Sequence, residues 1–195
     1  MLQRREAEDA KAKLGSAAAV LDIVFAGSGL DWRAYSFDGF KLAPGNQAAA
    51  NRLREHDGDG VGIYLWGTPG TGKTHLAAAL ARRLVDAKRE TEVWSSKRLI
   101  DSLMDLQTRL RRIERLSSIQ ALFIDDLGAE KLSEWAESQL EDIIGARLSH
   151  QKFTGVTSNV DPKNLTLHWG GRLCSRLASL EYFKIVGPDA RIKRR

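Results

Sequence analysis

Residues Gly67-Thr68-Pro69-Gly70-Thr71-Gly72-Lys73-Thr74 follow the apolar run Ile63-Tyr64-Leu65-Trp66 and satisfy the spacing G-x-x-x-x-G-K-[ST]. The order reads as a strand, a phosphate-cradling loop and a helix. Backbone N–H groups can close around the phosphates of a nucleoside triphosphate only where no Cβ obstructs the approach, which accounts for Gly67, Gly70 and Gly72. Lys73 supplies a compact positive charge for the β- and γ-phosphates, and the Thr74 hydroxyl is a ligand for Mg2+. The amino end of the following helix adds its partial positive charge. A glycine-rich turn before a helix is the plain alternative, and a second motif argues against it.

That motif is Leu122-Phe123-Ile124-Asp125-Asp126, which ends the short apolar run of a buried parallel strand. An acidic residue emerging beside the phosphate loop can hold Mg2+ through its waters, the task assigned to Asp125. Asp126 stands where a second carboxylate would orient or deprotonate an attacking water. Two aspartates after an apolar run are common at strand ends, and it is the loop upstream that gives this pair meaning. Thr157-Ser158-Asn159 closes a further strand and so falls on the same sheet edge. The Asn159 amide could hydrogen-bond the γ-phosphate and the lytic water; an ordinary turn residue before Asp161-Pro162 is the alternative. Arg172 and Arg176 lie four apart on one helix face, where most such pairs are merely solvated. An oligomeric ATPase, however, needs a guanidinium delivered to the γ-phosphate by a neighbouring subunit.

Between these motifs, strands alternate with helices. The loop helix runs to about Lys88 with Leu76, Ala77, Leu80, Leu84 and Val85 on one face, and Glu92 to Ser96 reads as a strand. Lys97 to Arg115 carries Leu99, Leu103, Leu106 and Leu110 at helical spacing, interspersed with arginines. Ser133 is the N-cap of a helix to Ser149, Leu173 to Leu180 is helical, and Glu181 to Val186 is a last strand. The pattern predicts an α/β fold: a doubly wound, parallel, five-stranded P-loop sheet with flanking helices and its ligand at the carboxyl edge. Residues 1–34 read as a short helical arm, with an apolar centre from Val20 to Phe25 that docks on something, and residues 35–195 as the ATPase domain.

With 195 residues the chain supports one sizeable core. Its formal charge of +5 favours an anionic partner, though only weakly. A single Cys174 leaves no internal disulfide framework and no Cys-rich zinc module, and suits a reducing cytosol. No run approaches the roughly 20 apolar residues of a membrane span. The expectation is a soluble cytoplasmic protein without a membrane partner.

Taken together, Ser36-Phe37-Asp38-Gly39-Phe40, the loop with His75-Leu76 after it, Phe123 to Lys131, Thr157-Ser158-Asn159 and Ser175-Arg176-Leu177 closely resemble the DnaC/IstB-type family of AAA+ ATPases. These are bacterial replicative-helicase loaders and transposition helpers, related to the DnaA initiator. The resemblance implies ATP and Mg2+ as cofactors, a Walker A loop over Gly67, Thr68, Pro69, Gly70, Thr71, Gly72, Lys73 and Thr74 with His75 beside it, and Walker B carboxylates at Asp125 and Asp126. It further implies Asn159 as sensor 1, Arg176 as an arginine finger and Arg191 as sensor 2. The stretch Lys97 to Arg115 would be the initiator-type insertion, with Arg109, Arg111, Arg112 and Arg115 touching single-stranded DNA. Self-association into a ring or filament follows, with a replicative helicase or a transposase as partner. Asp126 stands where the broader class has Glu, so a shorter carboxylate must reach the water, and no separate lid domain is expected. Three other readings stay open: a transposition helper, a nucleotide-gated adaptor with little hydrolysis, and a P-loop kinase or GTPase. The last lacks a guanine-selecting signature.

Overall fold

In the computed structural model, which describes residues 17–189, five segments become strands of one sheet: β1 (Gly62–Trp66), β2 (Thr91–Ser95), β3 (Ala121–Leu127), β4 (Phe153–Ser158) and β5 (Glu181–Lys184). Their order is β2-β3-β4-β1-β5 and every neighbouring pair is parallel. The central strands β1, β3 and β4 are buried along nearly their whole length, because helices cover both faces.

The pleat assigns alternate residues to opposite faces. Ile63, Leu65 and Phe123 pack against α1 (residues 17–25), α2 (Gln47–Glu55) and α3 (Lys73–Asp86). Tyr64, Leu122 and Ile124 pack against α4 (Ser96–Met104), α5 (Arg109–Ser118), α6 (Glu134–Ser149) and α8 (Gly171–Leu177). A short α7 (Leu165–His168) precedes α8. The doubly wound expectation holds, and among the described residues no lid domain covers the sheet. Leu21, Val24 and Phe25 of α1 are buried in the same core as α3, so this apolar centre docks on the central sheet itself. Leu76, Leu80 and Leu84, all fully buried on α3, contribute about 1.5–3 kcal/mol each. They fix α3 against the sheet, and with it the end of the loop.

The continuous insertion expected from Lys97 to Arg115 is broken in two. Asp105 ends α4 with ψ 108°, and its carboxylate accepts from the Gln107 amide at 3.0 Å and the Thr108 hydroxyl at 2.7 Å. This Asx turn competes with the helical ladder and restarts the chain as α5. Leu99 and Leu103 are buried, whereas Leu106 and Leu110 are 75% and 73% exposed. The leucine spacing thus holds for α4 and fails across the break. Elsewhere the local signals hold: Ser133 caps α6 by accepting from the Ala136 amide at 3.2 Å.

One buried charge was not foreseen. Arg147 of α6 is fully buried, and its guanidinium donates to the carbonyls of Leu116, Ile119 and Phe153 at 2.5, 2.9 and 2.6 Å and to the Thr154 hydroxyl at 3.0 Å. It ties the end of α5 to the starts of β3 and β4. Burial pulls its pKa down to about 10, so it stays charged at neutral pH. Arg147→Met would orphan these acceptors, and we expect it to destabilise the fold by on the order of 3–5 kcal/mol. In chemical denaturation this is a lower midpoint at unchanged slope. A loss below about 1 kcal/mol would show the network to be dispensable.

Candidate nucleotide-binding site

The loop between β1 and α3 takes positive φ at Gly67 (148°), Gly70 (77°) and Gly72 (98°). Two of these glycines serve chain packing as well as ligand access. A Cβ on Gly67 would lie 2.2 Å from the Ile185 carbonyl oxygen, and one on Gly72 would lie 2.5 Å from the Phe40 ring. Lys73 is only 6% exposed, and its Nζ donates to the carbonyls of Gly67 and Thr68 at 3.0 and 2.9 Å. Its charge is therefore held in the curve of the loop. Thr71 closes the turn by donating to the Thr68 carbonyl at 2.9 Å.

Across the sheet, β3 carries a bulge: Ile124 pairs with Val156, but Leu127 pairs with Ser158. The extra residue lets the two aspartates face different surroundings. Asp125 is drawn inward, and its Oδ1 accepts the Thr74 hydroxyl at 2.9 Å and the Thr157 hydroxyl at 2.6 Å. Asp126 is exposed with φ 59°, and its amide donates to the Thr157 oxygen at 2.8 Å. Asp tolerates this left-handed conformation better than Glu does, which is a local reason for the shorter side chain here. Burial raises the Asp125 pKa above the usual carboxylate range, with the Thr157 and Thr74 hydroxyls partly opposing it.

These donors fit a magnesium ion bound with a triphosphate. A carboxylate and a hydroxyl within 2.9 Å of each other are hard oxygen ligands, and Mg2+ takes one or two such groups beside waters and phosphates. Among the described residues no cluster of three or more His, Cys, Asp or Glu could hold a metal alone.

The other predicted residues are dispersed. Asn159 is exposed directly after β4, on the same sheet edge. The His75 ring meets Tyr35 and Phe40 edge-on, with Nε2 2.7 Å from the Ser36 carbonyl oxygen. It fastens the chain from Tyr35 to Phe40 onto α3. Arg176 is exposed on α8, beside Gly145 of α6, in a depression with Glu141, Arg172 and Ser175. That is the face of the sheet opposite α3, so the structure does not bring Arg176 to its own loop. Arg109 donates to the Leu103 carbonyl at 2.8 Å, Arg112 stacks 5.0 Å over Trp94, and Arg115 pairs with Glu92 at 2.9 Å. Of the four arginines proposed for DNA, these three are engaged within the chain, and Arg111 is exposed. Arg191 lies outside the described residues.

Sequence reasoning gave Thr157 no task of its own, although it lies in β4 only two residues before Asn159. It also missed Asp189, whose carboxylate lies against Gly70 of the loop; nothing in the local sequence signals that contact.

A family model described as IstB-like ATP binding protein matches residues 55–173. The chain is 26% identical over 160 residues to the replicative helicase loader DnaC of Buchnera aphidicola, covering 73% of this chain and 62% of that protein. It is 31% identical over 117 residues to the replicative helicase loader DnaI of Bacillus subtilis, covering 57% of this chain and 37% of the relative. The chain thus spans less than two thirds of the length of either. Among solved structures, AMPPCP-bound DnaA from Aquifex aeolicus has a TM-score of 0.70 over 78% of this chain and 50% of its own, at 21% identity, a likeness of fold.

The raised Asp125 pKa means that the folded chain holds this proton more tightly than the unfolded chain. Its stabilising contribution is present at low pH and is lost as pH rises through the raised value. Asp125→Asn keeps Oδ1 as acceptor for both hydroxyls but carries no charge. Without nucleotide, the variant should melt at a higher temperature than the parent at about pH 8, the gap closing as pH falls towards the carboxylate range. A variant no more stable than the parent at the higher pH would contradict this.

Proposed function

Since the chain belongs to the IstB-like ATP-binding protein family, with a DnaC/IstB-type AAA+ fold, we propose that it binds and hydrolyses Mg-ATP between copies of itself. The cycle would load a DnaB-type replicative helicase onto single-stranded DNA in the cytoplasm. The observation that carries the reading is the hydrogen-bonded link from Thr74 of the loop to Asp125 of β3, beside the buried Lys73. Lys73 would turn its ammonium from the Gly67 and Thr68 carbonyls to the β- and γ-phosphates. Thr74 and Asp125 would hold Mg2+, which when bound neutralises charge developing on the phosphate oxygens.

The exposed Asp126 would take a proton from the attacking water as its oxygen bonds to the γ-phosphorus. The bond from that phosphorus to the bridging oxygen breaks, its electron pair staying on the β-phosphate, and ADP and phosphate are left. Asn159, on the same edge, would orient the water. The left-handed turn at Asp126 directs a short carboxylate from a fixed backbone, which suits slow turnover. Arg176 would act in trans: its exposure on the face opposite α3 supports delivery to a neighbour's γ-phosphate. DNA would meet the α4–α5 elbow, with Arg111 the outward-facing charge. Both curated relatives above are named replicative helicase loaders, which favours a helicase over a transposase as partner. Among the described residues no helix is long and apolar enough to cross a membrane.

A mixing experiment tests the proposal. A Lys73→Ala subunit has a dead loop and an intact arginine, whereas an Arg176→Ala subunit has the reverse. Each alone should be inactive in ATP turnover and in retaining a DnaB-type helicase on circular single-stranded DNA, and the mixture should recover part of both. If folded, co-assembling variants do not complement, Arg176 acts in cis or structurally. Turnover without helicase retention would reject the helicase as partner.

A further inference from the structure

The segment after β5 runs along the phosphate loop. The Ile185 amide donates to the Trp66 carbonyl at 2.7 Å and the Val186 amide to the Gly45 carbonyl at 3.2 Å. The chain therefore follows β1 to its end and passes Gly67 at close range. Gly187 and Pro188 then carry it to Asp189, which is half-buried. A Cβ built on Gly70 would lie 1.8 Å from Asp189 Oδ1, 2.2 Å from its Cγ and 2.8 Å from its Oδ2. The whole carboxylate thus lies against the middle glycine of the loop, on a side that only a glycine leaves open.

A loop of successive backbone N–H groups leading into a helix N-terminus, with a lysine beside it, attracts anions without regard to their source. A carboxylate presents two oxygens of the same hydrogen-bonding type as a phosphate. Taking the loop as a nucleotide site, on which this inference rests, we propose that Asp189 is an internal occupant of the phosphate nest that ATP must displace. The carboxylate and a triphosphate repel one another and compete for the same donors. ATP then binds only the fraction of molecules whose Asp189 has swung away, and its apparent affinity falls by that fraction. Arrival of the nucleotide is at the same time converted into movement of the segment after β5, which leads in sequence to Arg191, Lys193, Arg194 and Arg195.

The test is equilibrium binding of a fluorescent non-hydrolysable ATP analogue with Mg2+ to the full chain and to its Asp189→Asn, Asp189→Ala and Lys73→Ala variants. Both neutral variants at 189 should bind about threefold to tenfold more tightly than the parent, as removal of an occupant present in most molecules requires. Equal or weaker binding by both overturns the proposal. An analogue that fails to bind the parent, or binds Lys73→Ala as well as the parent, removes the nucleotide-site reading and this inference with it. Hydrogen exchange on the unaltered chain decides the matter if a variant does not fold. Faster exchange at the amides of residues 185–189 on adding the analogue supports displacement, and unchanged exchange contradicts it.

Discussion

One oxygen of the half-buried Asp125 carboxylate, Oδ1, holds the functional edge of this molecule together by accepting one hydroxyl from the phosphate loop and another from β4. Taking that carboxylate out of water disfavours its charged form, and two neutral hydroxyl donors only partly restore the balance. β3, which carries this carboxylate, is hydrogen-bonded on both sides, to β2 and to β4, and that pairing holds it in place. A divalent ion arriving with its phosphates would relieve the imbalance. Folding and ligand binding therefore pull this residue in opposite directions.

The same bond set explains the path of the backbone. Thr157 donates to Asp125 and accepts from the Asp126 amide, so one side chain of β4 holds the carboxylate of one aspartate and the left-handed turn of the next. The bulge puts one acid inside and its neighbour outside within a single residue step. Because all strands are parallel, the loop, both aspartates and Asn159 share one edge, whereas Arg176 sits on the opposite layer.

Much of this was legible in the sequence, because it depended on short-range rules. The glycine and lysine spacing located the loop, apolar runs located β1 and β3, and Ser133 located the start of α6. What escaped notice depended on partners distant in sequence. Arg147 reads as a surface charge near a helix end, and its burial is set by carbonyls of α5, of the residue that follows it and of β4, which converge only after folding. The leucines from Leu99 to Leu110 keep helical spacing, yet a local Asp105 turn outweighs it. The arginines of α5 read as contacts for single-stranded DNA, and nothing in their spacing signals that Trp135, Trp94 and Glu92 engage Arg109, Arg112 and Arg115 within the chain. Asp189 reaches the loop only through the pairing of β5 with β1.

The most direct test of the central role given to Asp125 and its two hydroxyls is Mg2+-dependent ATP turnover and binding in Thr157→Val, an isosteric loss of the hydroxyl, with Thr157→Ser as rescue. Valine should fold, retain nucleotide binding without Mg2+, require more Mg2+ for half-maximal turnover and lose turnover by about tenfold or more. Serine should restore most of both. A folded valine variant with parental turnover and Mg2+ dependence would show that the β4 hydroxyl is not needed to hold the two aspartates, and the account would fail at its centre.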